Sequence, residues 1–312
     1  MYIDINSTHF PLGNGLQLNN EIVGEEYELV PGGSALNFSR MCASLGLHPT
    51  FIGKSGEDTV SELLQSLIIK ANITPYFIKD VTRKTNISIN YTSDNGETLM
   101  TVVGTANQSL TGKEVLQKVD EIHFTDGLVY FGGCFKLHNL MKEYTDLADK
   151  MKKNNNKIII DHGRINNTVT QQHKKIIKNL IRSADYYLPS KEEFCALWET
   201  NSIEEGIKIV SQISSAVLMV KDSVNGVYGY DGYKMYHVPA YPVKPISLIG
   251  AGDSCNAGFI YAQLSGKTFV DCLRFACATA GVKISSISLP DIAKITSLIA
   301  EFPDQIPDTQ TE

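Results

Sequence analysis

The sequence IGAGDSCNAGF, at residues 249–259, combines two glycines, one aspartate and a run of small residues. Gly250 and Gly252 are predicted to lie at the first turn of a helix, where exposed backbone N–H groups suit anionic phosphate oxygens. The negative charge of Asp253 is electrostatically unfavourable beside bound phosphate, so its presence there indicates a function. One such function is to accept the proton of a hydroxyl nucleophile. The alternative is a first-turn aspartate that is stabilised by the helix dipole.

Around this stretch, short β-rich runs alternate with helical patterns through most of the chain. The alternation predicts a layered α/β fold with a largely parallel sheet. The predicted strands are Thr50–Gly53, Gly127–Phe131, Lys157–Asp161, Tyr186–Pro189 and Ala216–Lys221. Apolar residues at helical spacing predict the helices Ser34–Leu45, Asp58–Ala71 and Lys191–Glu199.

Two regions interrupt the alternation, at Phe10–Val30 and Ile73–Val103. Both contain short strand-like segments, and the second includes the turn Ser93–Gly96 between β-rich runs, which is a hairpin signal. We expect the two regions to form one small sheet that lies over the core as a lid. The predicted domains are an α/β core of residues 1–9, 31–72 and 104–312 and a β lid of residues 10–30 and 73–103.

Composition excludes several classes of function. The 312 residues are 43% hydrophobic and 20% charged with a net charge of −6, which is ordinary for a globular protein with a large core. No long basic run is present, so nucleic acid is not an expected partner. No signal peptide and no apolar run of membrane-spanning length is visible, so we expect a cytoplasmic protein without a membrane partner. The six scattered cysteines are interpreted as buried small hydrophobes.

A second glycine-rich motif, PGGSALN at residues 31–37, is predicted to open a helix. Gly32 and Gly33 allow a ligand to approach the backbone closely, and the helix start offers it unpaired N–H donors. Asn37 lies one turn into the helix, and its amide both donates and accepts hydrogen bonds, as a hydroxylated ligand requires. The alternative is an ordinary strand-to-helix turn with Asn37 facing solvent.

Two predicted strand ends supply a third candidate, LPSKEE at residues 188–193 and VKDSVNG at residues 220–226. Glu193 lies one turn into the helix that is predicted to begin at Ser190, where it could orient water around a magnesium ion. Ser190 and Glu193 also have the spacing of a helix capping box. The two roles are compatible, so both stay open.

In this order along the chain, the motifs resemble the ribokinase-like (PfkB) carbohydrate kinase family over nearly the whole sequence. Gly32–Leu64 is similar to the first signature of the family, and Gly250–Phe259 is similar to the second. The resemblance implies a three-layer α/β/α core with a mostly parallel central sheet and a small β-sheet lid. It also implies an enzyme, a carbohydrate kinase that uses ATP and Mg²⁺ to phosphorylate a hydroxyl of a sugar or sugar derivative.

The resemblance assigns a role to each matching residue. Asp253 matches the catalytic base, and the anion hole that receives the transferred phosphoryl charge is matched by Gly250, Ala251 and Gly252. The residues that match substrate-binding positions are Asp4, Gly32, Gly33 and Asn37. Those that match the ATP site are Ser190, Lys221, Ser223, Gly226 and Cys277. Glu193 matches the glutamate that is linked to magnesium.

The sequence also departs from the family pattern. Ser190 stands where asparagine is usual, and Ser223 where glycine is usual. Ser247 replaces an aspartate that is associated with a monovalent cation, so a requirement for K⁺ stays open. The chain begins three residues before Asp4, where the family has a strand and a Gly-Asp pair. Either the sequence starts late or the central sheet lacks much of its first strand.

Two other functions stay open. A nucleoside kinase on the same scaffold would require aromatic residues of the lid to stack on a base. A sugar or nucleotide sensor without catalysis is consistent with the serine replacements, since a shared fold does not secure a shared activity. The retained Asp253 and its Gly-Ala-Gly cradle argue against a sensor. Exposed edges of the lid sheet can pair between subunits, which indicates a homodimer.

Overall fold

The computed structural model describes residues 1–8, 26–92, 98–286, 288–303 and 308–310, which contain thirteen β-strands and eleven α-helices. The strands are β1 Tyr2–Thr8, β2 Glu26–Gly32, β3 Thr50–Gly56, β4 Thr74–Asp80, β5 Ile87–Thr92, β6 Thr98–Val103, β7 Leu128–Gly132, β8 Lys157–Asp161, β9 Tyr186–Tyr187, β10 Val217–Lys221, β11 Val227–Tyr230, β12 Met235–Val238 and β13 Asp308–Gln310. The helices are α1 Ser34–Ser44, α2 Thr59–Lys70, α3 Gly112–Glu121, α4 His138–Met141, α5 Tyr144–Lys153, α6 Gln171–Ile181, α7 Lys191–Trp198, α8 Ile203–Ser211, α9 Ala251–Leu264, α10 Phe269–Ile284 and α11 Ile292–Glu301.

The largest sheet has seven strands in the order β13-β12-β11-β10-β9-β8-β7. Strands β7 to β10 are parallel, and β11 to β13 continue the sheet in antiparallel pairs. In β8, Ile158 and Ile160 belong to one hydrophobic core and Ile159 to another, because successive side chains of a strand point to opposite faces. The sheet is therefore buried on both faces by helices, which confirms the predicted three-layer α/β/α core.

Helices α9 and α10 form the closest helix pair on one face of the sheet. A Cβ atom on Gly258 would overlap the side chain of Thr279, so the two helices approach more closely than a larger residue would permit. The small residues of the 249–259 stretch therefore allow this packing. All six cysteines are free thiols, and five of them are buried in the core, as the sequence predicted.

A separate four-stranded sheet has the order β2-β1-β5-β6. Its β5–β6 pair is antiparallel and confirms the predicted hairpin, with Thr92 opposite Thr98. The turn Ser93–Gly96 and most of the predicted lid region Phe10–Val30 lie outside the described residues. The small sheet brings the chain start close to the first glycine-rich motif, since Tyr2 pairs with Gly32 across β1 and β2.

Two strands lie in other sheets than the sequence indicated. Residues 1–9 were assigned to the core, but β1 pairs with β2 and β5 in the small sheet. Strand β4 lies in the region assigned to the lid, but it pairs in parallel with β3. A parallel pair needs a crossover such as α2, whereas the lid strands are joined by a hairpin, so β3 and β4 form a βαβ unit. The division into core and lid stays a prediction.

The β3–β4 pair stands apart from the seven-stranded sheet. Within the described residues, β3 pairs with β4 alone and β7 pairs with β8 alone. Residues of both β3 and β7 line the same large cleft. The open space in this part of the molecule is therefore continuous with the carboxyl ends of the parallel strands.

Candidate active site

A cleft of about 1210 Å³ opens at the carboxyl ends of β7 and β8. It is lined there by the loops that follow these two strands, by the start of α1 and by the start of α9. The outer ends of parallel strands are where α/β proteins usually bind ligands. The cleft therefore brings together the IGAGD and PGGS segments, which are more than 200 residues apart in the chain.

The start of α9 is shaped by Gly250, which precedes the helix in a left-handed conformation with φ of 78°. The N–H of Ala251 donates to the Leu248 carbonyl over 3.2 Å, so it is not free for an anion. Within the described residues, the N–H groups of Gly252 and Asp253 donate to no protein acceptor. Two backbone donors of this helix start are thus available to a negatively charged ligand.

Asp253 lies in the first turn of α9 and receives hydrogen bonds from α1. The Ser34 hydroxyl donates to its Oδ1 atom over 3.0 Å, and the Asn37 side chain is a second partner. Burial raises the pKa of Asp253 to about 7, and the negative charge of Asp161 adds to the rise. Lys221 and the two hydrogen bonds oppose it. A pKa near the operating pH favours general-base catalysis, because the group is then both available as a base and a good proton acceptor.

A buried group of three residues, which we call the polar triad, lies next to Asp253: Asp161, Lys221 and Asn256. The Lys221 Nζ atom is 2.8 Å from Asp161 Oδ2 and 3.0 Å from Asn256 Oδ1, and it also donates to a backbone carbonyl. Asn256 Nδ2 donates to the same Asp161 oxygen over 2.6 Å. Burial opposes both charges, but each partner favours the other, so the pKa of Asp161 is lowered and that of Lys221 raised. The pair is therefore ionised.

Tyr130 connects the polar triad to the candidate base. Its hydroxyl accepts from Asn256 Nδ2 over 3.3 Å and forms a hydrogen bond with Ser34. The ring stacks on Phe38 of α1 with 3.9 Å between centroids and 6° between planes. Because Ser34 in turn donates to Asp253, an unbroken series of polar contacts runs from the triad to the Asp253 carboxylate.

The predicted substrate-binding residues meet around the start of α1. Asp4 is 9% exposed, and burial raises the pKa of its carboxyl group. A Cβ atom on Gly32 would overlap the Asp4 carboxylate, so only glycine fits there. Gly33 precedes α1 with φ of 97°, and Asn37 reaches Asp253. Of these four residues Gly33 lines the cleft, and contacts of all four with a substrate stay a prediction.

Ser190 and Glu193 form the capping box that the sequence indicated at the start of α7. Ser190 N donates to Glu193 Oε2 over 3.0 Å, and Glu193 N donates to Ser190 Oγ over 3.3 Å. Both residues line the cleft, and the negative charge of Glu193 acts on Lys221. One carboxylate facing the cleft suits Mg²⁺, which keeps several waters and binds substrate phosphates. No group of three potential metal-binding side chains occurs in the described part of the chain.

The other residues assigned to ATP lie along β10 and beyond it. The Lys221 side chain turns to Asp161 and not to an open surface. Ser223 is exposed in the turn after β10 with φ of 50°, and Gly226 has φ of 92°. A Cβ atom on Gly226 would overlap the carbonyl of Val238, and buried Cys277 places Sγ 3.8 Å from the same oxygen. Gly226 and Cys277 therefore share a neighbour, while their contact with a nucleotide stays a prediction.

Sequence reasoning missed four residues of this site. Ser34 lies inside the PGGS motif, but the prediction for that motif rested on its glycines and on Asn37. Asn256 lies one turn after Asp253 within the stretch that was quoted first, so its proximity could have been read from helical spacing. Asp161 ends a predicted strand, which is a signal for a site residue in an α/β fold. Tyr130 carries no signal of this kind, since it lies within a strand.

A search for helices capable of crossing a membrane finds no candidate in the parts of the chain that the structure describes.

Comparison with known proteins finds a family and a set of similar folds. The family model of the pfkB family carbohydrate kinases matches residues 12–292. The ribokinase of Bacillus subtilis is 24% identical over 265 residues, with 85% of each chain covered. The 5-dehydro-2-deoxygluconokinase of Clostridium beijerinckii is 26% identical over 294 residues, which cover 89% of this chain and 86% of that protein. Arabidopsis thaliana ribokinase complexed with ribose and ATP has a similar fold, with a TM-score of 0.75, 21% identity and 96% of each chain covered.

Proposed function

Because the chain belongs to the pfkB family of carbohydrate kinases, we propose that it transfers the γ-phosphoryl group of ATP to a hydroxyl of a sugar or sugar derivative, with Asp253 as the catalytic base. The main support for this proposal is the arrangement of groups at the start of α9. It combines a carboxylate whose pKa is about 7 with two backbone N–H groups that have no protein acceptor in the described residues. A proton acceptor beside an anion site is what phosphoryl transfer to an alcohol requires.

The residues divide the work of the reaction. Asp4 and Asn37 bind hydroxyl groups of the acceptor, and Ser34 holds one oxygen of Asp253 so that the other faces the reacting hydroxyl. Asp253 takes the proton as the oxygen–phosphorus bond forms, because a carboxylate is far too weak a base to ionise an alcohol beforehand. The N–H groups of Gly252 and Asp253 face the charge that develops on the transferred group.

The proposed binding of ATP and Mg²⁺ involves Glu193 and the turn that follows β10. Glu193 would orient water bound to Mg²⁺, and the ion when bound neutralises phosphate charge. Ser190, Ser223, Gly226 and Cys277 would contact ATP. The Lys221 ammonium is held by Asp161, next to Gly252 at the start of α9. Its positive charge would act on the phosphates only from that position. A requirement for K⁺ is decided by measuring activity in sodium and potassium buffers.

A homodimer through the small sheet is also proposed. Met100 and Val102 are both exposed on its edge strand β6, and such an edge can pair with a second copy. Sedimentation of the purified protein tests this, and a monomer at micromolar concentration would overturn it.

The activity is tested by following ADP release with Mg²⁺ and ATP over a panel of neutral sugars, sugar acids, sugar phosphates and nucleosides. We expect turnover with at least one sugar or sugar derivative, and a kcat lower by about 10²- to 10⁴-fold for the Asp253→Asn variant. Turnover with nucleosides alone would identify a nucleoside kinase. Ligand binding without any turnover across the panel would identify a sensor, and either outcome overturns the proposal.

The pH dependence of kcat/KM should report the ionisation of Asp253. Activity is expected to fall as pH drops below about 7, because the base must be deprotonated and burial raises its pKa to about 7. Replacing Ser34 with alanine removes a hydrogen bond that lowers this pKa, so the acidic limb should move to higher pH. Ser34→Thr keeps the hydroxyl and should keep the position of the limb. An unchanged limb in Ser34→Ala would contradict the role of Ser34.

A further inference from the structure

Two cationic side chains line the cleft, and no role has been given to either so far. Lys136 follows β7 and Arg164 follows β8, and both line the cleft. The two strands are neighbours in the sheet, with Gly132 paired to Asp161 at their ends. Both cations therefore project from the edge of the sheet where ligands bind in α/β folds.

The loops that carry these cations touch each other. Gly133 has φ of 63° and Gly163 has φ of 76°, both in the left-handed region that favours glycine. A Cβ atom on Gly163 would lie 3.0 Å from Gly133 Cα, which is tighter than an ordinary contact. The close approach of two backbones places Lys136 and Arg164 on one rim of the cleft.

Two of the cations that line the cleft form no ion pair within the described residues. Of the carboxylates, Asp161 is paired with Lys221, Glu193 caps α7 and Asp253 accepts from Ser34. The guanidinium of Arg164, in contrast, makes no hydrogen bond or ion pair within the described residues, and its side chain is exposed. Lys136 is also exposed, and its Nζ atom lies 5.8 Å from the centre of the Tyr2 ring without an ion-pair partner in the described chain. Unpaired cations on the wall of a cleft attract an anionic ligand.

The position of Lys136 indicates whether this anionic ligand is the acceptor or ATP. Tyr2 and Asp4 lie on β1, beside the glycines at the start of α1, and the positive charge of Lys136 acts on the Asp4 carboxyl group. These residues belong to the acceptor side in the proposed function. The residues proposed for ATP lie instead at the start of α7 and around Val238.

We propose that the acceptor is an anionic sugar, whose carboxylate or phosphate group is held by Arg164 and Lys136 while its hydroxyl faces Asp253. This rests on the proposed function and names the substrate class of the same site. Arginine suits such a group because its planar guanidinium donates two parallel hydrogen bonds to a carboxylate or phosphate. Lys136 adds a second positive charge, while Asp4 continues to bind hydroxyl groups. A neutral sugar would leave both cations without a partner.

The test compares neutral sugars with anionic derivatives of the same carbon skeleton: glucose with gluconate and glucose 6-phosphate, and fructose with fructose 6-phosphate. We expect at least one anionic acceptor to exceed its neutral partner in kcat/KM by about 10-fold or more, in keeping with charge-assisted hydrogen bonds. A preference for the acid or for the phosphate identifies which anion is bound, and either supports the inference. Equal or better turnover of the neutral sugars would overturn it.

Substitutions of the two cations test whether they cause the preference for an anionic acceptor. Arg164→Gln should lower kcat/KM for the anionic acceptor about 10- to 100-fold, mainly through KM, and leave the KM for ATP within about two-fold. Lys136→Met should act in the same direction. Arg182→Gln removes an exposed positive charge outside the cleft and should change neither value. A rise in the KM for ATP instead of the KM for the acceptor would overturn the inference, because the cations would then serve the nucleotide.

Binding separates this inference from the proposed function. Calorimetric titration of gluconate and glucose 6-phosphate into the full chain needs no turnover. Binding of an anion that is lost in Arg164→Gln and retained in Arg182→Gln supports the inference even if no acceptor is phosphorylated. Binding that is the same in all three proteins, or absent for both anions, would overturn it whatever the outcome of the activity assay.

Discussion

Replacing Asp253 with asparagine is expected to lower kcat about 10²- to 10⁴-fold, the range that a positioned general base contributes. Asparagine has nearly the same shape and can still accept the Ser34 hydrogen bond, but it cannot take a proton from the acceptor. Folding should persist, and stability should be at least that of the wild type, since burial disfavours the charged carboxylate that the substitution removes. Stopped assays of ADP release with the preferred acceptor measure the change in kcat.

The control for this substitution is Asp149→Asn, which is exposed on α5 and is not among the residues that line the cleft. It removes the same charge and should leave kcat within about two-fold, since it lies too far from the reacting atoms to affect proton transfer. Affinity for ATP should be similar in both variants, as measured by calorimetry. Turnover of Asp253→Asn close to that of the wild type would remove Asp253 from the role of base.

Replacing Lys221 with methionine should destabilise the fold by about 3–5 kcal/mol, the usual cost of breaking a buried ion pair from one side. The Lys221 and Asp161 side chains are only 11% and 8% exposed, and methionine leaves the Asp161 carboxylate with its charge uncompensated. Only the amide of Asn256 and a backbone N–H would still donate to it. Urea unfolding followed by circular dichroism measures the change in the free energy of unfolding.

The pH dependence of this loss follows from the pKa of Asp161. In the wild type Lys221 holds that pKa below its usual value, so the pair adds stability above the unfolded pKa and loses it as pH falls. In Lys221→Met this contribution is absent at neutral pH, and protonation of Asp161 relieves the buried charge in acid. The difference between the two proteins should therefore narrow as pH falls. It should begin to narrow above about pH 4, because burial without Lys221 favours the protonated Asp161, and continue below it as the wild type loses its pair.

The control is Lys150→Met, whose ion pair with Asp120 joins side chains that are 42% and 60% exposed. Solvent screens such a pair, so the loss should stay within about 1 kcal/mol. The double variant Asp161→Asn/Lys221→Met should recover part of the stability that Lys221→Met loses, because no charge is left buried. Equal losses for the buried and the exposed pair would contradict the ionised state of the polar triad.

Local patterns in the sequence were enough to predict the layers of the fold. Lys157–Asp161 was predicted with the bounds that β8 has, because a short run of isoleucines between polar residues is typical of a strand buried on both faces. The helix predicted at Ser34–Leu45 ends one residue earlier, at Ser44. These features depend on neighbours within one turn or one strand, which a single sequence contains.

Pairings between distant segments could not be predicted in this way. The sequence does not state that β1 joins β5, because a strand pattern fixes which residues face inward but not which strand lies beside it. Lys221 is separated by 60 residues from Asp161, its partner in the ion pair. The family resemblance assigned Lys221 to the ATP site, and the structure shows that its ammonium is paired with the buried Asp161 carboxylate.

The candidate site was predictable to the extent that its motifs are glycine-rich. Glycines at helix starts indicated the two segments that meet in the cleft. Asp253 was identified because a carboxylate beside an anion site is unfavourable unless it has a function. Ser34 and Tyr130 were not, since a serine and a tyrosine have many ordinary roles. Their importance comes from contacts with Asp253 and Asn256, which lie 219 and 126 residues away along the chain. Geometry in three dimensions supplies that information.

The polar triad also has a consequence for how this sequence can diverge. Any first substitution at Asp161, Lys221 or Asn256 leaves a buried charge or amide without its partner, so selection removes most such changes before a second one can compensate. The three positions are therefore inherited as one unit. Lineages that differ at one of them should differ at the others, and the triad would separate branches of descent more clearly than overall sequence identity.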